Sequence, residues 1–287
     1  MASLVPEIAY EEVLGVPEIA EEPRSRGHFL PRLRVWRFVV LLLAGVYFLA
    51  PLYAGLRFSF ENDANHLSLY AVRAIPSQPG FSTAFTLSLE LAGIATGIVM
   101  VLMIPTAAYV HLKLPRFRRV MDVVTILPIV IPPIVLVVGL KDIAPLFLEN
   151  TPYFLALVYV VLAYPFVYRS LDAGLTAIDL KTLVEASRSL GGNWVRTLWH
   201  VVVPNLRAAI LSALVLTMAL VLGEFTIASI EGWTTLPVWI YNFQQDDPHV
   251  STAVCMLSLI GTWLLITVIV SLDRSESRRA KKRIGAV

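Results

Sequence analysis

Glu185-Ala186-Ser187-Arg188-Ser189-Leu190-Gly191, followed by Gly192 to His200 and then Val201-Val202-Val203-Pro204, is the one sizeable polar interruption between the apolar segments of the C-terminal half of this chain. Thr182-Leu183-Val184-Glu185 just ahead fits a capping box, with Thr182 as N-cap and Glu185 reaching back to its amide. Gly191-Gly192 ends that short helix as a C-cap would. Asn193 then opens a second helix, Trp194 to about Val202, before Pro204 starts a new segment. The stretch predicts two short helices hinged at a glycine pair, offering Leu190, Trp194, Leu198 and Trp199 as apolar anchors. Two environments suit such a surface: a groove in a soluble partner, or the lipid headgroup layer, where Trp is at home.

The walls on either side of the insert decide the class. The chain is 57% hydrophobic and 15% charged, with mean hydropathy +0.72. A soluble domain holds about 25% charged residues, so this composition indicates a polytopic membrane protein. A helix needs roughly 20 mostly apolar residues to cross the hydrocarbon core, and six stretches qualify: Phe38 to Leu56, Phe81 to Tyr109, Val123 to Leu140, Tyr153 to Tyr168, Leu206 to about Ile230, and about Val250 to Leu272. The expectation is an all-α membrane protein with the polar hairpin, residues 169–206, between spans four and five. A first helix occupies 35–58 and the core occupies 81–272. The tails are 1–34 and 273–287, the second of them basic. The N-terminal tail repeats Val5-Pro6-Glu7-Ile8-Ala9 as Val16-Pro17-Glu18-Ile19-Ala20 and is too acidic and Pro-punctuated to build a core, so a disordered extension is expected. It is acidic where a signal peptide would be basic, so none is expected.

Lys and Arg in short loops stay on the cytoplasmic side. With both termini inside, all 23 of them except Arg57, Arg73 and Lys141 fall in cytoplasmic segments, so the frame is N-in/C-in and the insert faces the cytoplasm. In the second span Thr83, Thr86, Glu90, Gly93 and Gly97 recur at spacings of three and four, which puts them on one helical face. The glycines suit a packing seam. A carboxylate near mid-membrane is costly, so Glu90 either lines a pathway or is protonated or hydrogen-bonded within the bundle. Pro132-Pro133 breaks or kinks the third span, and marks either backbone exposed to a pathway or a static kink.

Several chemistries are excluded. No Gly-Lys-Ser/Thr phosphate loop occurs, so the chain does not hydrolyse ATP by that route. His-Glu-x-x-His and Gly-x-Ser-x-Gly are absent, the five histidines lack metal-ligand spacing, and Cys255 stands alone. A secondary carrier usually shows broken helices in both halves; here only one span is Pro-broken.

The insert resembles the signature of membrane subunits of ATP-binding-cassette importers: Glu-Ala-Ala, three residues, Gly, nine residues, then Ile-x-Leu-Pro. Glu185, Ala186, Gly191 and Pro204 stand at that spacing, with Ser187 for Ala, Val201 for Ile and Val203 for Leu. The resemblance covers roughly 81–272. It implies a non-catalytic permease subunit of the inner or plasma membrane whose hairpin, through Glu185, Ala186, Ser187, Leu190, Gly191, Trp194 and Pro204, docks in a groove of a cytoplasmic ATPase. It implies a second permease chain, two ATPases that hold the ATP and magnesium, and an extracytoplasmic binding protein, with no nucleic acid and no cofactor on this chain. Leu222-Gly223-Glu224-Phe225-Thr226-Ile227-Ala228-Ser229 and Thr235-Leu236-Pro237-Val238-Trp239-Ile240-Tyr241 look like the polyamine (spermidine/putrescine) branch. Thiamine, ferric-iron and phosphonate permeases share parts of these stretches. On that reading Glu90, Pro132, Pro133, Glu224, Trp239 and Tyr241 line a pathway for a small organic cation. Acidic charge attracts such a cargo and aromatic faces hold it. Asp246 and Asp247 add to the field or meet the binding protein.

Overall fold

Hydropathy and proline placement account for the element order. The computed structural model describes residues 32–61 and 66–284, in which every helix or strand element is helical apart from an isolated bridge, Glu61 to Leu67. The repeat of the acidic tail lies outside the described residues. The chain divides into two units, residues 1–50 and 51–287. In the first, helix α1 (Arg32–Ser59, which continues into the second unit) begins within the expected tail, and no side chain from Trp36 to Ala50 is buried.

In the second unit α2 (Tyr70–Ala74) leads into α3 (Phe81–Lys113). The third apolar stretch is α4 (Arg118–Val124), α5 (Leu127–Val130) and α6 (Pro133–Lys141). It is bent by 103° at Ile131 and Pro132. The prolines explain the break: neither offers an amide, and Pro132 turns its carbonyl to the amides of Val135 and Leu136 at 3.0 and 3.2 Å, starting a fresh helix. Then come α7 (Leu146–Glu149), α8 (Phe154–Thr176), α9 (Leu180–Ser189), α10 (Trp194–Thr197), a π-turn over Leu198–Val202, α11 (Val203–Asn205), α12 (Arg207–Leu222), α13 (Thr226–Ile230), α14 (Leu236–Phe243) and α15 (Pro248–Ile284). The fifth stretch is interrupted at 223–225 between α12 and α13. The last helix runs through residues expected to be tail. Among the described residues five helical stretches are long and apolar enough to cross a membrane, six if the bent pair is one span.

Helices α3, α8 and α12 pack on one another. Small residues make that close approach possible: Ala92, Ala95, Ala107, Ala108, Ala163 and Ala213 are fully buried, and a Cβ on Gly174 of α8 would collide with the Ala209 Cβ of α12. One buried cluster lies at the end that carries the hairpin, joining Met103, Val167, Leu171 and Leu206 to Leu180, Val184, Leu198 and Val202. A second holds Leu91, Val137, Phe154, Tyr159, Val221 and Ile227, and a third joins Ala71, Ala84, Trp239 and Val250 at the opposite end.

Candidate functional site

The insert is a helix–glycine–helix hairpin, and its backbone accounts for the glycine pair at its centre. Asp179 caps α9: its carboxylate accepts the Thr182 amide at 3.2 Å and the Thr182 hydroxyl at 2.7 Å. These two donors hold the Asp179 carboxyl below its ordinary range. Thr182 is therefore not the N-cap expected from the capping box, and Glu185 does not reach back. Glu185 lies exposed one turn from Lys181, 3.9 Å between charges. Both residues are capable caps, and the helix starts at the earlier one, where the two carboxylate oxygens take the Thr182 amide and hydroxyl together.

The other end is a Schellman turn. The Gly192 amide bonds the Ser187 carbonyl at 2.9 Å and the Gly191 amide bonds that of Arg188 at 2.9 Å. Gly191 sits at φ +79°, a conformation that costs a side-chain-bearing residue about 1–2 kcal/mol. Gly192 is glycine for a different reason. A Cβ there would lie 2.6 Å from the Ser187 hydroxyl and 2.8 Å from its carbonyl oxygen. Asn193 then caps α10 by accepting the Arg196 amide at 2.8 Å, and the Ser187 and Thr197 hydroxyls bond at 2.8 Å across the hairpin. Beyond α10 the π-turn and α11 carry the chain through Pro204, exposed, into α12.

The four anchors expected to be exposed divide into two pairs. Leu190 (89% exposed) and Trp199, with Val195, face outward. Leu198 is buried and Trp194 half-buried against the bundle, with its ring edge-on to Tyr109 of α3 at 6.2 Å. Burying Leu180, Val184, Leu198 and Val202 contributes about 1.5–3 kcal/mol each. The hairpin is thus fixed from below and leaves Leu190, Val195 and Trp199 exposed beside Arg188, Arg196 and His200.

Beside it is a charged cluster that no motif in the sequence signals. Asp172 of α8 pairs with His111 at the end of α3 (2.6 Å) and Arg118 at the start of α4 (2.7 Å), and Arg118 also reaches the Thr176 hydroxyl at 2.8 Å. At the opposite end Lys141 of α6 pairs with the nearly buried Glu231 at 2.9 Å. No run of neighbouring residues announces such pairs.

The expected pathway residues are scattered. Glu90 is exposed on α3, with the Tyr153 hydroxyl 3.5 Å away, and Thr83, Thr86, Gly93 and Gly97 share its open face. Pro132 and Pro133 are exposed at the bend. Glu224 has a local task, accepting the Ile227 amide at 2.7 Å at the start of α13. Trp239 is 5% exposed, donates to the Pro79 carbonyl at 2.9 Å and stacks on Phe243, so its face is not open to a cation. Tyr241 is exposed beside Phe225. Asp247 caps α15 by accepting the Val250 amide at 3.0 Å, while Asp246 is exposed. An Asp directly before Pro248 at the first helical position is the local signal for that cap. No cluster of metal-ligating side chains occurs among the described residues.

Comparison with known proteins bears on this arrangement. Residues 103–281 match the model of the family described as binding-protein-dependent transport system inner membrane component. The chain is 26% identical over 264 residues to a "Probable transport system permease protein NifC" of Clostridium pasteurianum, covering 85% of this chain and 90% of that one. It is 28% identical over 236 residues to a "Probable molybdenum ABC transporter permease protein" of Haloferax volcanii, covering 77% and 84%. Its fold is similar to a chain in the crystal structure of a bacterial ABC transporter involved in the import of the acidic polysaccharide alginate, with a TM-score of 0.69 and 16% identity over 85% of this chain and 98% of the other.

Proposed function

Since the chain belongs to the family of binding-protein-dependent transport system inner membrane components, we propose that its insert is the docking element through which a cytoplasmic ATPase drives import. The chain is a permease subunit of an ATP-binding-cassette importer and a multi-pass membrane protein. One observation carries the docking reading: Leu190, Val195 and Trp199 are exposed on a hairpin whose underside is buried in the α3–α8–α12 bundle. A rigid ridge tied to three spans can pass a push from a soluble partner into the membrane. Glu185, Ala186, Ser187, Gly191 and Pro204 shape that ridge.

On this reading six spans place both termini in the cytoplasm, with the bent pair as the third. A second permease chain completes the pathway, two ATPases bind and hydrolyse ATP with magnesium, and an extracytoplasmic binding protein delivers the cargo. This subunit performs no chemistry of its own.

For the cargo, the polyamine reading loses its footing. Trp239 is packed away and offers no face to a cation, while Glu224 and Asp247 are each tied to a backbone amide rather than free to turn toward a cargo. A relative matched over most of its length is named for molybdenum. An oxyanion of the molybdate type is therefore the better-supported cargo. Two measurements test the whole reading. A tagged chain isolated in mild detergent brings down an ATPase, and Glu185→Lys abolishes ATP-coupled uptake while the chain stays folded; uptake at the wild-type rate refutes the docking role. In the reconstituted complex, molybdate with its binding protein raises ATP hydrolysis and spermidine does not; the reverse result restores the polyamine branch.

A further inference from the structure

Between α8 and α12, close to the hairpin, runs an open groove of about 510 Å³ lined by Phe166, Arg169, Ser170, Gly174, Ser212 and Leu216, among others. Its residues fall in layers. The helices are antiparallel, with Gly174 against Ala209, so Ala173, Gly174, Ala208 and Ala209 form the mouth at the hairpin end. One turn deeper come Arg169, Ser170 and Ser212, and deeper still Phe166 and Leu216, both exposed. At 1.5 Å rise per residue the polar layer lies roughly 8–10 Å inside the ends of the two helices.

That layer is open: Arg169 and Ser212 are exposed and Ser170 is half-buried. Among the described residues neither the Arg169 guanidinium nor the Ser170 and Ser212 hydroxyls has a partner. Hydroxyls at neighbouring positions do: Thr176 donates to the Asp172 carbonyl at 2.7 Å and Thr217 to that of Ala213 at 2.8 Å. The nearest acid along α8, Asp172, is committed to His111 and Arg118. Arg169 stands one residue beyond the apolar stretch Tyr153 to Tyr168, at the level where a span meets the headgroups, and an arginine there reaches for a polar partner. A planar guanidinium matches the paired oxygens of a phosphate, and two hydroxyls beside it supply further donors.

We propose that this groove binds the phosphate of one anionic phospholipid, with Arg169, Ser170 and Ser212 holding the phosphate and Phe166 and Leu216 flanking an acyl chain. The layering favours a lipid over a free oxyanion, because the polar layer continues directly into the exposed apolar side chains of Phe166 and Leu216. The orientation proposed above enters only in assigning the site to the cytoplasmic leaflet.

The test uses the full chain in mild detergent, with phosphatidylglycerol and phosphatidylcholine titrated and bound lipid counted by native mass spectrometry. Arg169→Gln is expected to weaken phosphatidylglycerol retention about tenfold, the loss of a charge-assisted contact, and to leave phosphatidylcholine unchanged. Arg169→Lys, which keeps the charge and loses the fork, and Ser170→Ala/Ser212→Ala fall between. Should Arg169→Gln not fold, these two variants decide alone. Equal phosphatidylglycerol retention in wild type and variants overturns the proposal. So does displacement of the lipid by millimolar molybdate or inorganic phosphate, which would make the groove a station for the cargo. Failure to recover an ATPase would remove the docking role without touching the lipid count.

Discussion

Gly192→Ala is the sharpest probe of the hairpin. The new Cβ would lie 2.6 Å from the Ser187 hydroxyl, 3.2 Å from the Thr197 hydroxyl and 2.8 Å from the Ser187 carbonyl oxygen. The hydroxyls can rotate away, at the cost of their mutual bond. The carbonyl cannot, because it holds the Gly192 amide at 2.9 Å in the Schellman turn. Overpacking of this kind costs about 1–3 kcal/mol, and the lost hydroxyl pair adds about 0.5–1.5 kcal/mol, so local opening of the hairpin becomes easier by about 1.5–4.5 kcal/mol. Hydrogen exchange reads that difference directly: peptides covering residues 180–205 should exchange roughly 12- to 1,600-fold faster at 1.4 kcal/mol per decade, while those of α3 stay unchanged. ATP-coupled uptake should fall with them. Gly191 provides the contrast, since a Cβ there meets nothing within 4 Å and only its φ of +79° matters. Gly191→Asn, which tolerates that conformation, should stay near wild type, and Gly191→Val should not. Exchange in Gly192→Ala within about threefold of wild type refutes the steric argument.

Three further outcomes follow from the same contacts. Ser187→Ala leaves the fully buried Thr197 hydroxyl without its partner and should cost about 1–3 kcal/mol, whereas Ser187→Ala/Thr197→Val removes both polar groups and should recover most of it in the same exchange measurement. Asp172→Asn removes the charge that holds His111 and Arg118, and should speed exchange at residues 118–124 roughly tenfold with little effect at α14. Lys141→Met strands Glu231, whose side chain is only 7% exposed, and should lower the thermal midpoint in detergent by more than Lys141→Met/Glu231→Gln does. The effect is moderated by the exposure of the ammonium.

Features written in consecutive residues are legible in the sequence alone. Hydropathy locates the apolar helices because twenty adjacent residues report together, and Gly191, Gly192 and Asn193 announce the hairpin because caps act within one turn. The N-cap lies three residues earlier than the capping box suggests, since Asp179 and Thr182 both qualify locally and only the hydrogen bonds decide. The prolines foretell the break at Pro132, but its 103° angle depends on what α6 packs against. Pairs that close over distance leave no local trace: His111 and Arg118 meet Asp172 across 61 and 54 positions, and Lys141 meets Glu231 across 90. Composition also misleads. Acidic and aromatic residues near one end suggest a cation surface, yet Glu224 and Asp247 each hold a backbone amide and Trp239 donates to a backbone carbonyl.

The face of α3 bearing Thr83, Thr86, Glu90, Gly93 and Gly97 carries a last consequence. A Cβ added at Gly93 or Gly97 would meet nothing within 4 Å, so the glycines tighten no contact inside the described chain. Glu90 shares that face, with only the Tyr153 hydroxyl near it at 3.5 Å, a distance at the edge of hydrogen bonding. A carboxylate left to hydrocarbon costs several kcal/mol, while small residues forgo side-chain packing unless another backbone approaches. Protein covering the face removes both costs, and a water-filled pathway removes that of the carboxylate. The proposed second permease chain supplies such a cover. The energetics of α3 therefore set a condition that the single subunit leaves unmet and that a paired assembly can meet.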